Sequence, residues 1–291
     1  MYQQEAINIV LNKYNISKEK IYLLIGSDLQ NQILASSFAA SKINSSFLGV
    51  YSACASFVEE LIIASTFVNS NMCKNVLITT SSHNLASERQ FRFPIEYGAL
   101  RKKVNTFTAT GATSSLISKK ESNIKVETAT IGSIIDIGYK DTNNMGAVMV
   151  PSAAEVIYEH LTALDRKPNY YDIILTGDLG VYGVEILKEY LLKKYKLKLN
   201  NIKDAGTILY NAKKDGEIAG GSGPVCLPLV FFSNILKTKK YRKILLVATG
   251  SLHSSTSTKL GLSIPSISHA VSLEVLKWLL FMHFCFVEVF V

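Results

Sequence analysis

One short pattern is written twice in this chain, and it constrains the architecture more than any other feature. Residues 22–29 read YLLIGSDL and residues 172–179 read DIILTGDL, so Asp28 and Asp178 hold the same place in the pattern, 150 positions apart. The apolar run 76–80 is matched by 244–248 at an offset of 168, and that offset carries Cys54 onto Ser222, within GGSG. The 18-residue difference between offsets fits an insertion around the basic stretch 193–203. Tandem duplication of one unit is the economical explanation. Chance matching of short apolar runs is its rival.

The repeated unit reads as α/β. A helical pattern over 4–13 precedes a buried strand at 21–25, and a second helix over 34–41 precedes a strand at 47–50. Residues 54–68 are apolar nearly all round (Phe57, Val58, Leu61, Ile62, Ile63, Phe67, Val68), which predicts a buried helix. Strands alternating with helices predict sheets covered on both faces. With 291 residues, 48% apolar and 19% charged, the chain can bury such a core and is not disordered. Collagenous, coiled-coil and disulfide-scaffold classes are excluded.

Thirty-one Lys and Arg against 23 Asp and Glu give +8, which favours anionic ligands or an anionic surface. Without an aromatic platform or a groove-reading helix, the excess does not argue for nucleic acid. Cys54, Cys73, Cys226 and Cys285 are scattered, so a structural zinc site is not expected and reduced thiols are. The amino terminus lacks the pattern of a signal peptide. The apolar stretch 278–291 carries His283 and Glu288 and falls short of the ~18–20 apolar residues that span a bilayer.

The motif SACAS at the start of a buried helix, within a duplicated α/β unit, resembles the thiolase-like superfamily of condensing enzymes. More narrowly, GVYSACASF (49–57), TTSSHNLASERQFRFPIEYG (79–98), IIDIGYKDTNNMGAVMVPSAAE (134–155), ILTGDLG (174–180) and AGGSGPVC (219–226) are similar to the stage V sporulation protein AD family. The likeness runs from about residue 5 to about 275. It implies two βαβαβαββ-type halves, 1–122 and 123–275, around a pseudo-twofold axis, layered α/β/α/β/α. The chain then starts after the first strand of such a fold, and the apolar tail 276–291 has no counterpart in it.

The resemblance also implies a function. The family is one of dipicolinate-binding spore proteins, needed for uptake of that anion into the developing spore and linked to germination. It implies peripheral attachment to the spore inner membrane, partners in a spore membrane channel complex, a homodimer, no cofactor, and calcium only as a companion of the ligand.

In condensing enzymes the cysteine matching Cys54 carries the acyl group. A helix amino terminus there favours a thiolate, whereas a free cysteine elsewhere is simply a small buried hydrophobe. Such enzymes add a His and a His or Asn from the second half. Here Gly177-Asp178-Leu179 and Gly221 stand at those places. Losing a general base costs ~10²–10⁴ in rate and losing an oxyanion donor a similar factor. The expectation is a pocket without the chemistry, in which helix starts at Cys54, Ala55 and Ser56 and at Gly221 and Ser222 face one anion. An active acyltransferase, with His83 or Asp178 as replacement base, and a ligand-free membrane scaffold are the rivals.

Other candidates carry two readings each. Arg89 and Arg92 could clamp a carboxylate, or Glu88 and Arg92 could form a local i,i+4 ion pair. His83 is a weak candidate base. Asp28 and Asp178 could be an acid/base pair, or caps at strand-to-helix turns. Asp136, Asp141, Asn143 and Asn144 lack the spacing of an EF-hand and suit a polar loop before a helix at 153–161. The lysines of 188–203 and the run KTKKYRK (237–243) read as solvated helix ends, or as contacts to an anionic leaflet. GGSG lacks the Lys of a P-loop, and Pro228 threatens the helix that follows it.

Overall fold

The apolar runs become strands buried on both faces, and their alternating side chains feed different layers. In a computed structural model, which describes residues 2–92, 95–120, 122–210 and 218–276, Leu23 and Ile25 face one way and Leu24 the other, and all three are buried. The first stretch of chain forms α1 (Tyr2–Lys13), β1 (Leu23–Asp28), α2 (Leu34–Ala40), β2 (Ser46–Gly49), α3 (Ser56–Asn69), β3 (Asn75–Ser82), α4 (Asn84–Phe91), β4 (Thr106–Thr108) and β5 (Gly111–Ser118). Then come β6 (Ile124–Ile131), α5 (Met145–Ala163), β7 (Ile173–Thr176), α6 (Gly180–Tyr195), β8 (Ile202–Asp204), α7 (Ala205–Leu209), β9 (Gly220–Ser222), α8 (Cys226–Val230), β10 (Lys243–Ser251), α9 (Ser255–Lys259) and β11 (Ser266–Val275).

Two mixed sheets share one plan. The first has the order β2-β1-β3-β5, three parallel strands closed by an antiparallel one. The second has the order β8-β7-β10-β11-β6, in which β8, β7, β10 and β11 repeat that arrangement. Its fifth strand, β6, runs antiparallel along β11. No counterpart of β6 occurs in the first sheet among the described residues. From residue 277 onward the apolar tail lies outside the described residues.

The layers follow from the faces. Leu23, Ile25, Val76 and Ile78 of the first sheet and Ile173, Leu175, Ile244 and Leu246 of the second enclose a common core with α3 and α8. The alternate residues Leu24 and Leu77 pack outward on α1 and α2. Ile174, Leu245 and Val247 pack on α5 and α6. The result is the α/β/α/β/α stack of a thiolase-like fold, with the largely apolar helix α3, which also buries Glu60, at its centre. At ~25 cal/mol per Å² of apolar surface, burial of this kind is the main stabilising contribution.

Pro228 does not break its helix. It occupies the third position of α8, where no intrahelical N–H partner exists to lose. The helix continues through a wide turn at Phe231–Ile235 and a tight one at Leu236–Thr238. Asn144 caps α5 by accepting from Ala147 N at 3.2 Å, so the polar loop before that helix serves its start. Asp136 and Asp141 are engaged locally, by Ser263 and Gly138 and by Asn143.

One lysine of the second basic run is structural. Lys243 Nζ lies 3.1 Å from Glu274 and 3.6 Å from Glu127, so it is not part of a free basic patch. Lys188 and Lys193 pair with Glu185 and Glu189 along α6, as helix-surface charges do.

Glu127 anchors a polar cluster on the second sheet. It accepts from Arg166 at 3.0 Å, from Tyr170 at 2.8 Å and from Ser272 at 2.8 Å. Burial pushes its carboxyl up, but Ser272, Tyr170 and the charges of Arg166 and Lys243 outweigh that and hold it at about 2. A depressed carboxyl stabilises the fold fully above its unfolded value and loses that contribution as pH falls through the folded one. Stability should therefore decline from about pH 4.5 towards pH 2. Glu127→Gln should be about 2 kcal/mol less stable at pH 7 and show a flatter acid limb. Melting curves at pH 7 and pH 3 check this.

A cleft between the two halves: the candidate functional site

Cys54 sits in a tight turn, not at the first residue of a regular helix. The chain leaves β2, enters a 3-10 turn at Ala53–Ala55 and only then starts α3. Ala53 takes a positive φ of 50°, a left-handed conformation costly for any residue with a Cβ. Ser56 holds the turn: its Oγ donates to Ala53 O at 2.8 Å and accepts from Ser52 N at 2.9 Å. Ser56 is therefore a clasp and Ala55 is wholly buried, so neither faces the cleft as the sequence led us to expect.

The second half brings Ser222 to the same point. β9 pairs in parallel with β4, a ladder between strands from opposite halves. Ser222 Oγ lies 3.9 Å from Cys54 Sγ, the juxtaposition the 168-residue offset implied. Ser222 ends a strand, however, and α8 starts four residues later at Cys226. Gly221 turns its hydrogen away from the cleft: a Cβ there would lie 3.1 Å from Leu209 Cδ2 and 3.3 Å from Cys226 Sγ. Those side chains take the space a larger residue at this position would need.

Asp178 is the centre of the site and is not a helix cap. Its Oδ2 accepts from Ser222 Oγ at 2.9 Å and from Gly223 N at 3.2 Å, and its Oδ1 accepts from Thr249 Oγ1 at 2.8 Å. The N–H expected to greet a ligand anion is thus taken by the protein's own carboxylate. Capping falls instead to Asp204, which accepts from Leu179 N at 2.9 Å, Gly180 N at 3.1 Å and Thr207 N at 3.0 Å. Its signal in the sequence is an Asp three residues before a Thr at a short helix. Asp28 does behave as a cap, accepting from Gln30 N and Ser36 N, both at 2.8 Å.

The end of α4 forms a wall. Arg92 pairs with Glu88 at 2.9 Å and donates to Thr106 O at 3.0 Å, both through Nη1. It also lines the cleft with Cys54, Asp178 and Ser222, so the local ion pair forms without removing it from the cleft. Arg89 and His83 do not join them. Arg89 is exposed and paired with Glu96, while His83 stacks on Tyr2 with ring centroids 6.1 Å apart. Together they border a separate depression beside Gln30.

Sequence reasoning missed one cleft residue of consequence. His253, just past β10, lines the cavity with Cys54, and its ring lies 5.4 Å from that of Phe91. Neither of its ring nitrogens has a hydrogen-bond partner among the described residues, although both are shielded from solvent.

The electrostatics oppose a thiolate. Burial first, and then the Asp178 carboxylate, push the Cys54 thiol well above its ordinary value. The helix-start effect expected to favour ionisation is outweighed. Burial also raises the Asp178 carboxyl, against the hydrogen bonds it accepts, and raises the Tyr51 phenol at the cleft's edge to about 12. Among the described residues no group of three or more metal-ligating side chains occurs.

The sequence model of the Stage V sporulation protein AD family matches residues 1–274. Stage V sporulation protein AD of Bacillus subtilis (strain 168) is 36% identical over 274 residues, which cover 93% of this chain and 81% of that protein. Among solved structures, 3-oxoacyl-[acyl-carrier-protein] synthase III from Aquifex aeolicus VF5 is similar with a TM-score of 0.57 at 17% identity, covering 91% of this chain and 80% of the other. Xanthomonas campestris OleA is similar with a TM-score of 0.62 at 14% identity, covering 94% and 80%. At these identities the two structures speak for the fold alone.

Proposed function

Because the chain belongs to the Stage V sporulation protein AD family, we propose that this sporulation protein uses its thiolase-like cleft to bind dipicolinate and not to transfer acyl groups. The observation that carries the reading is the setting of Cys54: a neutral thiol beside a buried carboxylate that already holds Ser222 and Gly223. A condensing enzyme needs a thiolate and vacant donors for a developing oxyanion. This cleft favours neither.

Binding is better supported by the wall than by the floor. Arg92 supplies a cation, and Phe91 supplies an apolar ring face beside it. A flat aromatic dicarboxylate combines the two chemistries, ring against ring and carboxylate against guanidinium. In this reading the protein hands the anion to partners at the spore membrane. No helix among the described residues is long and apolar enough to cross a membrane.

Titration calorimetry tests the reading. Dipicolinate should bind, benzoate should bind much more weakly, and Arg92→Gln should weaken dipicolinate by at least about tenfold. Heat no greater than that of benzoate would overturn it. His253 in the cleft favours the rival reading, acyl transfer with a base that the sequence reading overlooked. Intact mass after incubation with acyl-CoA decides that point, and no Cys54-dependent adduct is expected.

A further inference from the structure

The cleft contains an imidazole shielded from solvent that makes no hydrogen bond of ordinary geometry among the described residues. His253 Nδ1 and Nε2 both lie out of solvent without a hydrogen-bond partner among the described residues. Leaving such groups unpaired in a folded interior costs free energy, and where it occurs a missing partner is the first explanation to examine. The two charged side chains nearest in role, Asp178 and Arg92, already have partners. Asp178 is engaged by Ser222, Gly223 and Thr249, and Arg92 by Glu88 and Thr106.

Building on dipicolinate as the ligand, we propose that His253 receives one carboxylate of the bound dianion and takes up a proton from solvent as it does so. Arg92 then faces the other carboxylate, and Phe91, which lines the cleft with its ring 5.4 Å from that of His253, faces the ligand ring. The proton goes to an imidazole nitrogen, and the imidazolium N–H donates to a carboxylate oxygen. No bond of the ligand is made or broken.

The surroundings explain why the proton should arrive with the ligand. Burial holds the imidazole below its ordinary value, the Ser251 backbone pulls the other way, and the Arg92 charge adds to the depression. The remaining titratable groups lining the cleft are Glu88 on α4, Cys54 and Tyr51 ahead of α3, and Asp178 after β7. α5 contributes only Met145 and Met149. Glu88 is spent on Arg92 and Asp178 on its three donors, so neither offers the imidazole a counter-charge. A carboxylate entering the cleft supplies one and reverses the balance.

Calorimetry of the full chain at pH 7.5, in phosphate and in Tris, measures the proton directly, because the two buffers differ in ionisation enthalpy. The expected result is uptake of about one proton per dipicolinate by the wild type. His253→Gln should bind about tenfold more weakly and take up none. Binding with equal heats in both buffers overturns the proposal and leaves dipicolinate binding intact. Uptake that persists in His253→Gln also overturns it, since the proton then resides elsewhere. No binding by the wild type removes this proposal and the ligand assignment together.

Discussion

Gly250→Ala is expected to lower the melting temperature by ~10 °C, from a loss of about 3 kcal/mol at the few degrees per kcal/mol usual for domains of this size. Gly250 lies in β10 directly beneath the Cys54 turn. A Cβ there would lie 2.3 Å from Ser52 O, 3.2 Å from Ala55 N and 3.3 Å from Ala55 Cβ. The first two are backbone atoms of a turn that Ser56 clasps from both sides, so they cannot step aside as a flexible side chain would. Relief requires lifting Ala53 and Cys54 as a unit, which opens the cleft. Gly138→Ala is the control: nothing lies within 4 Å of a Cβ at that position. That change should cost only the ~1–2 kcal/mol of a left-handed backbone position. A Gly250→Ala protein that melts within 2–3 °C of the parent, no more than a 1 kcal/mol change, would show that the turn does not rest on β10.

Asp178→Asn should make Cys54 react with iodoacetamide about tenfold faster at pH 8, which corresponds to a fall of one unit in the thiol's pKa. The carboxylate is the largest cause after burial that holds the thiol up. Removing its charge while keeping its shape isolates that effect. The amide has a single oxygen, so either Thr249 or the pair Ser222 and Gly223 loses its acceptor, at a cost of about 1–3 kcal/mol for each lost bond. The variant should thus be less stable yet more reactive, a combination that general loosening alone would not confine to one cysteine. Intact mass over time, with Cys54→Ala as the blank, reads the rate. An unchanged or slower rate would mean that the carboxylate does not govern the thiol.

The fold was legible because duplication leaves marks that survive in a single sequence. Strands buried on both faces carry consecutive apolar residues, so 23–25 and 173–175 stand out twice. The offset between 76–80 and 244–248 carried the reading across 168 residues to a 3.9 Å approach between Cys54 and Ser222. The site itself was legible only in part. Asp28 and Asp178 share a place in the pattern, but one sits under a helix start and the other beside a thiol, a difference set by tertiary neighbours alone. Arg89 and Arg92 are three apart, yet α4 ends between them, so one faces solvent and the other the cleft. His253 was within reach of the same repeat. The stretch after 76–80 carries His83, Arg89 and Arg92, and its counterpart after 244–248 carries His253.

The ladder between β4 and β9 makes the cleft a late product of folding. Strands more than a hundred residues apart must meet before Ser222 can lie beside Cys54, and closing so long a stretch of chain is slow compared with local helix formation. A nascent chain can therefore complete its first sheet and still have no cleft at all. Affinity for whatever the cleft binds would then report on the marriage of the two halves, and a ligand present while the chain folds would act as a keystone that favours the finished arrangement over every partly joined one.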